Sequence, residues 1–476
     1  MASPVLVLPF APLIFAVSGA EEVDARQPQG QTAPAASDQR QEGAPEVPQP
    51  PPPSSPYRLQ TPPVPVQPGV AGSGGASPHL LGNWGGIRDW LNSRGIRPSV
   101  SYVGENSVNL NSGSRRTPRY ADTRAFGASV DAPNLLGRTP AEVQVTLTWK
   151  SGQEISARND LGILQFPTSI YGRGTIWRLT QAWYRAASGP WDAKIGRLTV
   201  GEDFASAGCE FQSLYFCGAA PGQIAHTVWN NYPVGQWGTR IKRKFGTRGY
   251  VQAAAYHVSP RNADPVNGGF YLGLDGGGLL FPVEIGWTPR LRGDLPGTYK
   301  IGAYVSTANE PDVVLDRDHG LAFFTGRERL MHHGSSGFYA NVRQQVSHAR
   351  PSGGGATALF ANVAFTDGRT TAWVSKVVGG LVHTGPLAGR PRDEAGFALG
   401  RVGVNRRIRD LQMLRNAHLP GSVAVQRAEY VAELYYGAQL LQGLMVRPNL
   451  QYVHQPGGVA ERSDIVLAGL KIVASF

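Results

Sequence analysis

Between residues 99 and 476, apolar residues recur at every second position in run after run. The last run shows it plainly, with Val466, Ala468, Leu470, Ile472, Ala474 and Phe476 in one stripe. A period of two places alternate side chains on opposite faces of a strand. The stripe is about as long as one tilted membrane-crossing strand of roughly 9–11 residues. The final strand of a soluble sheet would carry the same stripe, and the rest of the chain has to separate the two. The alternation predicts sixteen strands, at 99–109, 122–132, 141–150, 176–187, 191–197, 236–245, 249–258, 281–289, 296–306, 334–348, 356–367, 372–383, 395–404, 425–437, 443–454 and 464–476.

Short and long connections alternate along that series, as an up-and-down barrel requires. Gly189-Pro190, Phe245 to Gly249 and Gly437 to Gly443 are short and belong at the periplasmic end. Residues 151–175, 198–235, 307–333 and 405–424 are long and belong outside. Asp367-Gly368 breaks the rule, as a tight turn where an outside loop is due. Trp149, Trp177, Trp183, Trp191, Trp237, Trp287 and Trp373 fall within or beside predicted strands, where aromatic girdles would put them. Sheet-core packing would place them similarly. Upstream, Asn83 to Gly95 reads as a short helix with Trp84, Ile87 and Leu91 on one face and Gly95 as its C-cap.

Composition narrows the class. The chain is 41% hydrophobic, and no apolar run reaches the roughly 18 residues of a membrane helix, so a membrane-spanning reading requires strands. Gly 60 and Pro 37 suit many turns rather than long helices. The net charge is +11, and residues 21–80 carry six acids against three bases, which leaves the remainder at +14. Scattered arginines without a Lys/Arg block or zinc-finger spacing point to a surface or a basic pore rather than to nucleic acid.

Residues 1–20 hold an apolar core from Val5 to Val17 followed by Ser18-Gly19-Ala20, which suits a signal peptide cleaved after Ala20, although no base precedes the core. Residues 21–78 are rich in Pro, Gln, Ala, Gly and Ser, and read as a disordered tether that cannot bury enough surface to fold. Cys209 and Cys217 are the only cysteines. In an exported protein they read as a local disulfide, worth about 2.5 kcal/mol in the chain-entropy model. The alternative is two free buried thiols.

Three segments together resemble the carbohydrate-selective outer-membrane porin family, OprB. The first is Leu80 to Arg88, continuing through Arg94-Gly95-Ile96 into Ser99 to Tyr102. The second is Gly196-Arg197-Leu198, Asp203 to Ser206, Cys209 to Gln212 and Phe216-Cys217-Gly218, running on to Tyr232-Pro233-Val234 and Trp237 to Lys242. The third is Glu429 to Glu433, Ala438-Gln439, Arg447 to Tyr452 and Phe476. The resemblance covers nearly all of residues 80–476, and the Pro-rich stretch 21–78 is no part of it. It implies an all-β fold, a sixteen-stranded antiparallel barrel in the bacterial outer membrane. It also implies passive diffusion of monosaccharides and related small polar solutes, and contact with lipid, lipopolysaccharide and the barrel-assembly machinery, with Phe476 as the assembly signal. A homo-oligomer stays open, as do an anion- or organic-acid-preferring pore and a cell-wall-linked structural barrel.

A sugar channel must offer hydrogen-bond donors and acceptors from the lumen face while the apolar residues face lipid. The alternation then places Arg240 and Lys242 in the lumen and leaves Arg243 awkwardly outward unless it lies at the interface. Glu142, Gln144, Glu429, Glu433, Arg447, Asn449 and Gln451 point inward by the same rule. Strand 176–187 cannot be oriented, because Arg178 and Gln181 have opposite parity and both look functional. The loop around Cys209 and Cys217 is the candidate for narrowing the pore. No GxSxG, HExxH or GxxxxGK[ST] motif occurs. His332-His333 with Glu328 nearby makes a poor metal set in a predicted outside loop. No enzyme, cofactor or metal is expected.

Overall fold

The computed structural model describes residues 79–111, 116–132, 141–267, 269–292, 294–350 and 353–476. The expected signal peptide and Pro-rich tether lie outside the described residues. The sixteen wall strands are β1 (Ile96–Asn109), β2 (Arg119–Asp131), β3 (Ala141–Gly152), β4 (Trp177–Ser188), β5 (Trp191–Leu198), β6 (Gln236–Phe245), β7 (Gly249–Val258) and β8 (Gly278–Trp287), followed by β9 (Leu295–Asp316), β10 (Arg329–Gln345), β11 (Thr357–Thr366), β12 (Trp373–Thr384), β13 (Glu394–Val404), β14 (Ala428–Leu441), β15 (Leu444–His454) and β16 (Ile465–Ser475). Each pairs antiparallel with its neighbours in chain order, and β1 pairs β16 from Ser101↔Ser475 to Asn109↔Leu467. That last ladder closes the sheet, so no strand edge is left unpaired. A two-residue piece, Arg290–Leu291, pairs only with the start of β9 in a turn.

Every predicted strand is present. The largest change is in the β9–β10 pair, where residues expected as loop continue as strand to Asp316 and resume at Arg329. The ladder slips between Ser306 and Asn309 and then runs on beyond the wall. His332 and His333 therefore sit on strand, not loop; His332 meets Asp312 at 2.8 Å and His333 meets Asn309 at 2.7 Å. The short turn at Asp367 is braced by this extension. Asp367 takes the Ser336 amide at 2.9 Å, and Arg369 accepts from Val313 N at 2.9 Å. The expected loop 405–424 contains a helix, Arg406–His418, capped by Asn405.

The unorientable strand has a local cause. Thr146 pairs Gln181 but Leu147 pairs Leu179, so Thr180 is an extra residue, a β-bulge. The bulge reverses parity along β4, so that Arg178 faces inward on one side of it and Gln181, Trp183 and Arg185 on the other. Two of the seven tryptophans lie off the girdle: beyond the bulge Trp183 turns to the lumen beneath Lys194, 4.6 Å above its ring, and Trp373, at a separate irregularity of the β12–β13 ladder, is buried. Trp149 and Trp177 stay outside and pack at 5.4 Å.

The upstream helix is present as Trp84–Gly86 in 3₁₀ form and Ile87–Asn92 in α form. Gly95 has φ +75°, the left-handed value its position as cap requires. Its buried residue is Arg88, while Ile87 is exposed, so the expected apolar face does not dock. The Arg88 guanidinium instead donates to Pro98 O at 3.0 Å and to the backbone oxygen of Phe476. Phe476 N in turn donates to Val100 O at 2.9 Å. The helix thus clasps the β1–β16 seam.

Candidate solute channel

The barrel interior is occupied by two segments that fold in from the long-loop end, residues 153–176 and 199–235. Their apolar side chains, among them Phe204, Phe211, Leu214, Phe216 and Trp229, are buried. They pack on inward tyrosines of the wall: Phe211 on Tyr435 at 4.9 Å, Phe204 on Tyr256 at 6.2 Å, and Trp229 on Tyr304 and Tyr339 at 5.4 and 5.7 Å. Edge-to-face aromatic contacts of this kind contribute about 0.5–1.5 kcal/mol each beyond area burial.

Single charges standing at inward positions of the strands hold the backbone of these segments. Glu429 accepts from Leu164 N at 2.8 Å, Gly457 N at 2.7 Å and Tyr215 Oη at 2.8 Å. Glu433 accepts from Gln212 N at 2.7 Å and Ser213 N at 2.8 Å. Glu105 takes Ser169 N and Oγ, each at 2.6 Å. Glu284 takes Ala205 N at 2.8 Å and the Tyr339 hydroxyl at 2.9 Å. The cations do the converse. Lys471 donates to Phe211 O at 2.7 Å and lies 3.2 Å from Glu105. Lys376 donates to Gln165 Oε1 at 2.8 Å, and Lys300 to Ser206 O at 2.8 Å. A buried carboxylate or ammonium is tolerable only when paired or hydrogen-bonded in this way.

The remaining predicted residues take their places in the same framework. Asn449 Nδ2 donates to Gln212 Oε1 at 2.8 Å, and Gln451 Nε2 to Pro167 O at 2.9 Å. Arg447 pairs with Glu394 at 2.7 Å near the terminal end. Arg240 is buried on Asp192 at 2.6 Å. Lys242 stands 4.5 Å over the Tyr250 ring and is partly open. Glu142 is partly exposed between Arg97 at 3.3 Å and Arg185 at 3.6 Å. Gln144 donates to Thr146 Oγ1 at 2.9 Å. Arg243 faces outward over Trp191, as parity required.

The predicted lumen residues lie on the inner face; Arg240 and Arg447 are taken up in ion pairs within the wall, and the other seven fall into two groups. Glu429, Glu433, Asn449 and Gln451 fasten the inserted segments. Glu142, Gln144 and Lys242, joined by Gln181, Arg185 and Lys194, form a polar, partly open strip on β3–β6. Sequence reasoning missed Glu105, Glu284, Lys376 and Lys471. Each is a lone charge in an apolar strand at inward parity, so the signal was present.

Some inward cations are matched by carboxylates, Arg240 and Arg185 by Asp192, Lys194 by Asp203 at 2.9 Å, Arg447 by Glu394, and Lys471 by Glu105, whereas Lys300 and Lys376 donate to carbonyl and amide oxygens and Lys242 lies over Tyr250. Burial pushes the Asp203 carboxyl up, but Lys194 and Arg240 more than offset it and hold it below the ordinary carboxylate range.

Cys209 and Cys217 are joined in a disulfide, with Cα atoms 4.1 Å apart. The nine-residue turn of chain they close, 209–217, carries Phe211, Leu214 and Phe216 inward. Phe211 of this turn packs on Tyr435 and Phe360 of the wall.

A family model described as "Carbohydrate-selective porin, OprB family" matches residues 115–476. The chain is similar to Porin B of Pseudomonas aeruginosa, 37% identical over 415 residues, covering 83% of this chain and 91% of that protein. It is also similar to the putative porin QuiX of Acinetobacter baylyi, 33% identical over 422 residues, covering 83% of this chain and 93% of the other. Among solved structures, that of Pseudomonas putida OprB at high pH superposes with a TM-score of 0.80 at 37% identity, covering 85% of this chain and 99% of that one.

Proposed function

The chain belongs to the carbohydrate-selective porin family, OprB, and on that premise we propose that it passes monosaccharides and related small polar solutes by diffusion across the bacterial outer membrane. The observation that carries the reading is a closed barrel whose lumen is narrowed by fastened inward segments while one strip of the wall, on β3–β6, stays polar and partly open. Glu142, Gln144, Gln181, Arg185 and Lys242 supply donors and acceptors for ring hydroxyls there. None of them forms an enclosed pocket, so a sugar held by them is also released, which conduction requires. Family membership supports a channel.

Along the strip the pairing of Arg185 with Glu142 and Asp192, and of Lys194 with Asp203, favours neutral solutes. Contacts with lipopolysaccharide and with the barrel-assembly machinery, and Phe476 as the assembly signal, belong to the same proposal.

Liposome swelling with glucose, arabinose and a neutral disaccharide tests it. Swelling with the monosaccharides and less with the disaccharide is expected. Reconstituted barrels that pass no solute would overturn the reading in favour of a structural role.

A further inference from the structure

The helix Ile87–Asn92 leaves its apolar face without a protein partner among the described residues. Ile87, Trp90 and Leu91 stand at i, i+3 and i+4, on one face, and Ile87 and Trp90 are 58% and 54% exposed. Asp89 and Asn92 lie on the opposite face. Asn83 joins them, its Nδ2 donating to Asp89 Oδ2 at 2.7 Å. Arg88 points between the two faces to the seam, where it donates to Pro98 O and to the backbone oxygen of Phe476. That clasp fixes the rotation of the helix, so the apolar face has a set direction.

The approach of the chain shows what lies beside it. Residues 80–84 cross the terminal end of the wall, where Leu80 N donates to Ser475 O at 2.8 Å. Leu81 and Trp84 then turn to the outer side. There they line an open cleft of about 440 Å³ with Val100, Phe126 and Phe476. Val100 pairs Phe126 across β1–β2, and by parity both stand opposite to the inward Glu105. The guanidinium of Arg124, also in the lining, is taken by Asp122 at 3.1 Å. The cleft therefore opens on the lipid side of the barrel.

Leu81, Trp84, Ile87 and Trp90 recur every third residue. Apolar surface thus runs on from the lipid-facing wall, through the cleft, and along the helix. Two of the rings also carry an arginine, with Arg88 4.2 Å over Trp84 and Arg94 4.0 Å over Trp90. Tryptophan at headgroup level, beside an arginine whose stem lies on apolar surface while its guanidinium reaches phosphate, fits a membrane–water boundary. A water-soluble partner could reach this face only by pressing against the edge of the bilayer.

We propose that residues 81–94 are an interfacial anchor whose partner is the glycerophospholipid surface of the periplasmic leaflet. Leu81, Ile87, Trp90 and Leu91 enter the boundary between headgroups and acyl chains, about 5–10 Å deep as such helices do, and Asp89 and Asn92 face water. Arg88 and the lipid then hold one helix from two sides. The inference rests on the outer-membrane location and not on the solute assignment, so its failure and that of the swelling assay are distinguishable.

The test uses the full chain, disulfide intact, in vesicles of phosphatidylethanolamine and phosphatidylglycerol. A nitrobenzoxadiazole label is placed through Ile87→Cys, Trp90→Cys, Asp89→Cys or Asn92→Cys, one at a time, in barrels that keep heat-modifiable gel mobility. Labels at positions 87 and 90 are expected to be quenched about threefold more by lipid spin-labelled near the headgroup than labels at 89 and 92. They are expected to be quenched about threefold less by aqueous iodide. A second measurement needs no variant: wild-type protein irradiated with a diazirine-bearing phosphatidylethanolamine is expected to carry adducts on residues 81–91 as well as on the wall strands. Equal quenching by iodide at all four positions, shielding of 87 and 90 from both quenchers, or adducts confined to the wall strands would each overturn the proposal.

Discussion

At the residue scale, inward parity does not by itself say what a charge does. Arg240 and Lys242 stand two positions apart on β6, yet Arg240 is buried on Asp192 while Lys242 lies open over Tyr250. Replacing Arg240 with Gln leaves Asp192 without one of its two arginines. Breaking a buried pair costs about 3–5 kcal/mol, and the remaining Arg185 at 2.5 Å brings the expected loss to the low end of that range. Urea unfolding in detergent should show this loss, with little change of ion selectivity in barrels that remain folded. Lys242→Gln should do the reverse, with stability within about 0.5 kcal/mol of wild type and a reversal potential shifted toward cations. An unchanged reversal potential for Lys242→Gln would remove it from the conduction path. Both residues were legible from alternation alone. Their different roles were not, because Asp192 is far from Arg240 in sequence and adjacent only through the β5–β6 ladder.

At the element scale, the inserted segments behave as parts of the core rather than as loops. Residues 199–235 are held by the disulfide at one place and by Glu433, Glu284 and Lys471 at others. Reduction of Cys209–Cys217 should therefore raise the noise and the mean of single-channel conductance without opening the pore fully. Conductance identical before and after reduction would make the bond a stabiliser only. Segment 153–176 begins at Glu154, which accepts from Ser156 N and Ala157 N, both at 2.8 Å. Burial lifts its carboxyl to about 7 against those two amide bonds. The folded segment thus holds the proton more tightly than an unfolded one, whose carboxyl has its ordinary value of about 4.3. The stabilisation is present in full below that ordinary value and is lost as pH rises through about 7. Hydrogen exchange across 153–176, corrected for its intrinsic pH dependence, should quicken between pH 5 and pH 8. Glu154→Gln should flatten that change; the same dependence in the Gln variant would assign it elsewhere. The bulge at Thr180 belongs at this scale too, since it lets Arg178 and Gln181 face inward together, which no unbroken strand permits.

At the scale of the whole molecule, closure is the decisive event. The β1–β16 ladder joins segments more than 350 residues apart, and the upstream helix completes it through Arg88. Arg88→Gln removes two hydrogen bonds from a charged donor, each contributing about 1.5–3 kcal/mol. The variant should unfold at lower temperature by heat-modifiable gel mobility and insert more slowly into vesicles, while inserted barrels swell at the normal rate. A variant as stable as wild type would leave the helix as a passive appendage.

The sequence by itself determined the class and number of strands and, in the unbroken strands, the face each side chain takes. A period of two is a local property, and lipid on one side makes every error of parity costly. The tertiary structure alone decided which inward charges stay on the partly open strip and which fasten the inserted segments, where the bulge reverses a strand, and that β9 and β10 continue beyond the wall. Each of these rests on contacts between residues distant in sequence: Glu429 with Leu164, Glu433 with Gln212, Lys376 with Gln165. Alternation along a strand records only which side a residue faces, and carries no information about what waits there.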